Sequence, residues 1–261
     1  MQNILSLHGR IALVTGAGQG VGRQTALHFA AHNAKAVIIN DYVADRAHAV
    51  AEEVRELGCL AYPMPGDVTD FGLMNDLVSK AANDLGGLHI LVNNAGNAGP
   101  TASIESFAPF WETGPDEWNQ WLGTNLYGVL NLCRVALPIM LQTGPGSVVN
   151  VISDAGRVGE PHLAVYSAAK AGASGFSRAL AKAVGHKNIR VNSVALASIN
   201  TPGVQSLLAD PEAVKRMLRQ YIIRRLGEPS DAANMILFLA SDAASWISGQ
   251  TYPVNGGYSI S

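Results

Sequence analysis

The sequence predicts an α/β fold, a doubly wound parallel sheet with helices on both faces. Short apolar runs rich in β-branched residues recur along the chain, and longer stretches with helical spacing separate them. No linker, charge block, low-complexity tract or short-period repeat breaks that alternation, so the 261 residues read as one domain, 1–261.

In chain order, the first run is Ile11 to Val14, followed by a glycine-rich turn and a helical pattern that carries on to about His32. Val37 to Ile39 is the next run. Ala47, Val50, Ala51, Val54 and Leu57 then make an apolar helix stripe among Arg46, Glu52, Glu53 and Glu56. Leu73, Leu77, Ala81 and Leu85 make another. Ile90 to Val92, Val148 to Ile152 and Val191 to Val194 complete the runs. Each is flanked by Gly, Asn or Asp, as parallel strands buried on both faces usually are.

Composition narrows the function. With 48% hydrophobic and 15% charged residues the chain is globular with a large interior. A net charge of −2 gives no electrostatic footprint for nucleic acid or anionic lipid. Cys59 and Cys133 are far apart and imply no disulfide framework. Met1 to Arg10 lacks a basic segment followed by an apolar one, and no run approaches the ~18 apolar residues of a membrane span. The expectation is a cytoplasmic protein without nucleic-acid or membrane partners.

The turn after the first run reads Thr15-Gly16-Ala17-Gly18-Gln19-Gly20-Val21-Gly22. A pyrophosphate at a helix N-terminus needs free backbone N–H groups and close approach, which glycine supplies, although such turns also simply join strand to helix. The Gly16, Gly20, Gly22 spacing differs from the tighter G-x-G-x-x-G of many Rossmann proteins. Asp41 lies 19 residues after Gly22, at the end of the second run, with no Arg or Lys beside it in sequence. There it is a turn aspartate or, as we read it, the acceptor for both ribose hydroxyls of NAD, its charge repelling the 2′-phosphate of NADP.

Tyr166 and Lys170 stand four apart, on one face of a predicted helix. An ammonium beside a phenol, with a positive nicotinamide nearby, favours the phenolate and would lower the tyrosine pKa. Ser153 lies thirteen residues upstream at a strand end, where open α/β sheets place ligands. Singly, each has a bland reading: a helix tyrosine, a surface charge, a turn serine. His28 and His32, four apart with no third ligand nearby, read as helix-surface residues, and no metal is expected.

Taken together these strings resemble the short-chain dehydrogenase/reductase family, from about Gly9 to Gly257. The resemblance covers Thr15-Gly16-x-x-x-Gly20-x-Gly22, Asp67-Val68 after a third strand, Asn93-Asn94-Ala95-Gly96 after the fourth, and Asn125. It continues through Ser153, Tyr166-x-x-x-Lys170, Ser248-Gly249-Gln250 and Asn255-Gly256-Gly257. It implies a Rossmann-type fold and a hydride transfer between a nicotinamide and a carbonyl or alcohol carbon. Tyr166 would be the general acid/base, with Ser153 polarising the same oxygen. Lys170 would hold the nicotinamide ribose, and Asn125 would anchor a proton-relay water. Thr15, Gly16, Gly18, Gln19, Gly20, Val21 and Gly22 would line the cofactor with Asp41. Asp67 and Val68 would bracket the adenine, and Asn94, Ala95 and Gly96 would support the cofactor beside it. Ile199 and Thr201 would meet the carboxamide. The family also implies a homotetramer, or a homodimer, built through the Val129 to Met140 and Ala164 to Val184 helices and the C-terminal strand region.

Three departures stand out. The family's Pro-Gly beneath the nicotinamide is Leu196-Ala197 here, and the usual closing Asp is Asn255. Segment 97–117 is extended and carries Phe107, Pro109, Phe110 and Trp111, either as a surface loop or subunit contact or as the wall of an apolar substrate pocket. About 201–225 lies the place of a substrate lid, with Val214, Met217, Leu218 and Tyr221 as its apolar face. The reading is an NAD-dependent enzyme acting on a small-molecule secondary alcohol or ketone, apolar or cyclic. The alternatives are an NADPH-dependent 3-oxoacyl-type ketoreductase and a catalytically silent nucleotide-binding regulator.

Overall fold

Alternation of strand and helix runs through the computed structural model, which describes residues 3–96, 108–202 and 210–260. The order is β1 (Ile11–Val14), α1 (Gly20–Ala31), β2 (Ala36–Asp41), α2 (Ala44–Glu56), β3 (Leu60–Pro65), α3 (Phe71–Leu85) and β4 (Ile90–Asn93). Then come α4 (Pro115–Leu122), a π-helical turn (Gly123–Tyr127), α5 (Gly128–Thr143), β5 (Gly146–Ser153), α6 (Ala155–Val158) and α7 (Ala164–Val184). The described chain continues with β6 (Ile189–Leu196), α8 (Pro211–Leu218), α9 (Pro229–Ala240) and β7 (Thr251–Val254). Phe107, Gly203 and the rest of 97–107 and 203–209 lie outside the described residues, and with them much of the extended loop and the start of the lid.

All seven strands are parallel, in the order β3-β2-β1-β4-β5-β6-β7. Both faces are covered, so alternate residues of one strand feed two cores. Ala12 and Val14 join α1, α2 and α9 on one face, while Ile11 and Leu13 join α3, α5 and α7 on the other. The sheet grows outward from β1 in one direction and from β4 in the other. The crevice at that reversal opens at the strands' C-terminal ends, where such sheets bind ligands.

Hydrophobic patterning locates the five inner strands, with bounds that extend by up to two residues at each end. It finds neither β3 nor β7, which only the family resemblance implied. Both are edge strands, and Pro63, Pro65 and Pro253 disguise them, since an edge tolerates a missing N–H. Two stripes need correction. Leu57 lies beyond α2 and is half exposed. In α3 the buried face is Met74, Val78, Ala81 and Ala82, leaving Leu73 exposed and Leu77 and Leu85 at its margin. The continuous helix Pro115–Thr143 is, by length and composition, long and apolar enough to cross a membrane, contrary to expectation. Its apolar side, including Val129, Leu132, Ala136 and Met140, is packed into the second core.

Candidate active site

The crevice begins with the glycine-rich turn. Helix α1 starts at Gly20 with no side-chain cap and no acidic residue in its first turn, so its first N–H groups face outward as an anion site. A Cβ at Gly22 would fall 2.3 Å from the Gly16 carbonyl oxygen, so only glycine lets the turn fold back on the helix. Thr15 and Asn94 brace this turn from behind. The Thr15 hydroxyl accepts the Asn94 and Ala95 N–H groups at 3.0 Å each. The Asn94 amide donates to the carbonyls of Thr15 and Gly16 at 2.9 and 3.1 Å. Thus the exit of β4 fixes the exit of β1, its neighbour in the sheet.

Asp41 ends β2, buried beside this turn. Its carboxylate accepts the Gly18 N–H and the Val43 N–H, both at 2.9 Å. A Cβ on Gly18 would lie 2.7 Å from that carboxylate and 2.5 Å from Cβ of Arg46. No basic residue adjoins Asp41 along the chain, but the first turn of α2 brings Arg46 to it in space. Val68, buried, and Asp67 follow β3 next to the end of β2, and the Asn131 amide donates to the Val68 carbonyl at 3.1 Å. On the opposite side of the crevice, Thr201 lies against Gly20, and the buried Ile199 bridges to Gly227. These features together fit a dinucleotide.

Ser153 ends β5. Its hydroxyl accepts the Ala155 N–H at 3.1 Å, reaches the Leu196 carbonyl at 3.4 Å and lies close enough to the Tyr166 phenol to favour its ionised form. One turn along α7, the buried Lys170 ammonium donates to the Val151 carbonyl at 3.0 Å and stands 5.8 Å from the Tyr166 ring centre. Asn125, fully buried, sits in the π-helical turn, the kind of local widening often found at functional sites. A Cβ on Gly96 would come within 3.1 Å of Asn125 Oδ1 and 3.2 Å of Lys170 Nζ, so both side chains converge on the exit of β4.

Burial dominates the electrostatics. It pushes the Tyr166 phenol above its ordinary range, with the Ser153 hydrogen bond acting weakly the other way, and it pushes Lys170 down to about 8. The expected lowering of Tyr166 belongs to the cofactor-bound site, where a positive nicotinamide joins Lys170. In low-dielectric surroundings both charged forms are disfavoured. Leu196-Ala197 brings no backbone strain, because Ala197 is not among the described residues with positive φ.

Sequence reasoning missed several residues. Trp121 stands edge-on to Tyr166, ring centres 5.4 Å apart, and its carbonyl accepts the Asn125 amide at 2.8 Å. Its position four residues before Asn125, on one helix face, is the signal that could have found it. Trp111, by contrast, is 82% exposed, while Phe110 stacks on Trp118. Asp154, next to Ser153, is 1% exposed and forms its own hydrogen-bonded cluster. His28 bonds to Asn234, and no group of three metal-ligating side chains occurs among the described residues.

The chain is similar to known proteins over nearly its whole length. A family model described as enoyl-(acyl carrier protein) reductase, of the adh_short_C2 type, matches residues 16–259. The chain is 37% identical over 253 residues to the 7alpha-hydroxysteroid dehydrogenase of Escherichia coli, covering 97% of this chain and 95% of that one. It is 41% identical over 249 residues to the cis-4-hydroxycyclohexanecarboxylate dehydrogenase of Sinomonas cyclohexanicum, covering 95% and 96%. A solved 7 alpha-hydroxysteroid dehydrogenase complexed with NADH and 7-oxo glycochenodeoxycholic acid superposes with a TM-score of 0.90. It is 37% identical, with 98% of each chain covered.

Proposed function

The chain belongs to the short-chain dehydrogenase/reductase family, and on that premise we propose a hydride transfer between NAD(H) and an apolar or cyclic secondary alcohol or ketone. The observation that carries this reading is the convergence of Asn125 and Lys170 on Gly96 at the exit of β4, with the Lys170 ammonium 5.8 Å from the Tyr166 ring centre. When bound, the nicotinamide supplies the hydride acceptor or donor. Tyr166 gives a proton to the carbonyl oxygen, or takes one from the alcohol, at its phenol oxygen. Ser153 hydrogen-bonds the same oxygen and polarises it. Lys170 holds the ribose, and Asn125 anchors the route by which the proton reaches solvent. Asp41 and the Gly18 to Gly22 turn bind the adenosine half, with Ile199 and Thr201 at the carboxamide end.

The Trp121 ring beside Tyr166 supplies an apolar wall, and the two named dehydrogenase relatives act on ring-bearing compounds by their names. The same unit would carry a lid over 201–225. It would assemble as a homotetramer or homodimer through the Val129 to Met140 and Ala164 to Val184 helices and the C-terminal strand region.

The test follows reduced-nicotinamide absorbance with NAD+ and NADP+ separately, against aliphatic, cyclic, steroidal and aromatic secondary alcohols. Tyr166→Phe runs alongside. Turnover with NAD+, lost in Tyr166→Phe, is the expected result. Full activity in Tyr166→Phe overturns the acid/base assignment. Arg46 gives one specific ground for a second reading: its Cβ and the Asp41 carboxylate both border Gly18, and an arginine there can reach for a 2′-phosphate. Preference for NADP+ that is lost in Arg46→Ala would establish that reading, a 3-oxoacyl-type ketoreductase among its forms.

A further inference from the structure

Asp154 is a buried carboxylate immediately after Ser153, and nothing in the hydride transfer uses it. One oxygen accepts from Arg157 Nη1 at 2.6 Å. The other accepts from the Asn255 amide at 2.6 Å and from the Ser259 hydroxyl at 3.0 Å. The Asn255 amide also reaches the Ser259 carbonyl at 3.0 Å and hydroxyl at 3.2 Å. Its own oxygen is taken by the Gly257 N–H at 2.9 Å, so the NH2 end must face Asp154. The backbone carries this contact to the reacting group. Asp154 N–H donates to the Leu196 carbonyl, which also receives the Ser153 hydroxyl, and the next N–H, of Ala155, donates to that hydroxyl.

We propose that Asp154 and Asn255 are a matched pair of positioning residues. The tail amide satisfies the buried carboxylate and so holds the Ser153 turn in register with Tyr166. The inference rests on the reading of Ser153 and Tyr166 given above. It explains why this chain carries Asn at 255: an aspartate there would keep the Gly257 contact and set a second carboxylate oxygen about 2.6 Å from the first.

The test compares Asn255→Asp, Asp154→Asn and the Asp154→Asn/Asn255→Asp double variant in the full chain. Two adjacent carboxylates share one proton at low pH and repel once both ionise. The other titratable groups facing them are Arg157, Glu160, Tyr258 and Tyr221, present in every variant. Asn255→Asp is therefore expected to lose at least about tenfold in kcat, since misplacing a reacting group by 1 Å can cost ~100-fold. The loss should deepen as pH rises, with the cofactor KM kept. The double variant, which restores one carboxylate facing one amide, should recover most of the kcat and the original pH profile. A folded Asn255→Asp with unchanged kcat and pH profile overturns the proposal, as does a double variant no better than the single. Should Asn255→Asp fail to fold, Asn255→Ala carries the test without added charge, and an unchanged kcat overturns the proposal there too. Thermal-melt coupling between positions 154 and 255 reads the pair without turnover, so its failure is distinguishable from that of the Tyr166 assignment.

Discussion

Burial shifts the protonation equilibria of Tyr166 and Lys170, the two side chains proposed for the proton transfer. With its phenol pushed above the ordinary range, Tyr166 carries its proton at neutral pH and is poised as a donor. Alcohol oxidation should then accelerate as pH rises through neutrality, while ketone reduction stays flat and falls only at alkaline pH. Trp121→Ala, which admits water at the ring edge, should move both profiles towards acid. Profiles that do not move would show that Trp121 plays no part in the burial. Lys170 gives a stability prediction of opposite sign. Its folded pKa of about 8 lies below the unfolded value of 10.5, so the unfolded chain binds the extra proton between those pH values. The charged amine thus costs roughly 3 kcal/mol below pH 8, and stability recovers as pH climbs to 10.5. Lys170→Met should melt higher at pH 7, by about 1–2 kcal/mol after loss of the Val151 hydrogen bond, while losing activity. A lower melting temperature at pH 7 would contradict this. Tyr166, Lys170 and Ser153 were legible because their spacing survives in the sequence; the phenol's environment was not, because Trp121 comes from another helix.

At the scale of elements, the turn between β1 and α1 is the least forgiving. Gly22→Ala forces a Cβ against the Gly16 carbonyl oxygen, and we expect about 1–3 kcal/mol of destabilisation with at least tenfold weaker cofactor binding. Gly185→Ala meets nothing within 4 Å, at a helical φ of −58°, and should be neutral or slightly stabilising. Calorimetry and cofactor titration of the two variants check the contrast; equal behaviour would remove the steric account. Inner strands announced themselves by uninterrupted β-branched runs. The edge strands did not, because Pro63, Pro65 and Pro253 look like breaks until one knows that those strands have a free side. The α3 stripe misled for a related reason: leucines drew the eye, while alanines and Met74 make the close contact with the sheet.

For the whole molecule, reversal of strand order between β1 and β4 gathers residues from six strand ends into one crevice. Ligand bound there should stabilise the fold as a unit. At a hundred times its Kd the preferred dinucleotide should add about 2.7 kcal/mol, seen as a rise in melting temperature that Asp41→Ala abolishes. A rise undiminished in that variant would place the ribose elsewhere. The parallel, doubly wound sheet was legible from the alternation, but its full strand order and contacts between residues far apart in sequence, Arg46 near Asp41 or Asn255 on Asp154, were not. That last contact has a consequence for how the protein is made. A ribosome delivers Asp154 101 residues before Asn255, a delay of roughly 5–20 s at common elongation rates. All seven strands, the glycine turn, Tyr166 and Lys170 are synthesised within that interval or before it. On the proposed pairing, a nascent chain would meet its cofactor while the Ser153 turn still lacks its tail partner, and catalytic competence would arrive with the tail rather than with the sheet.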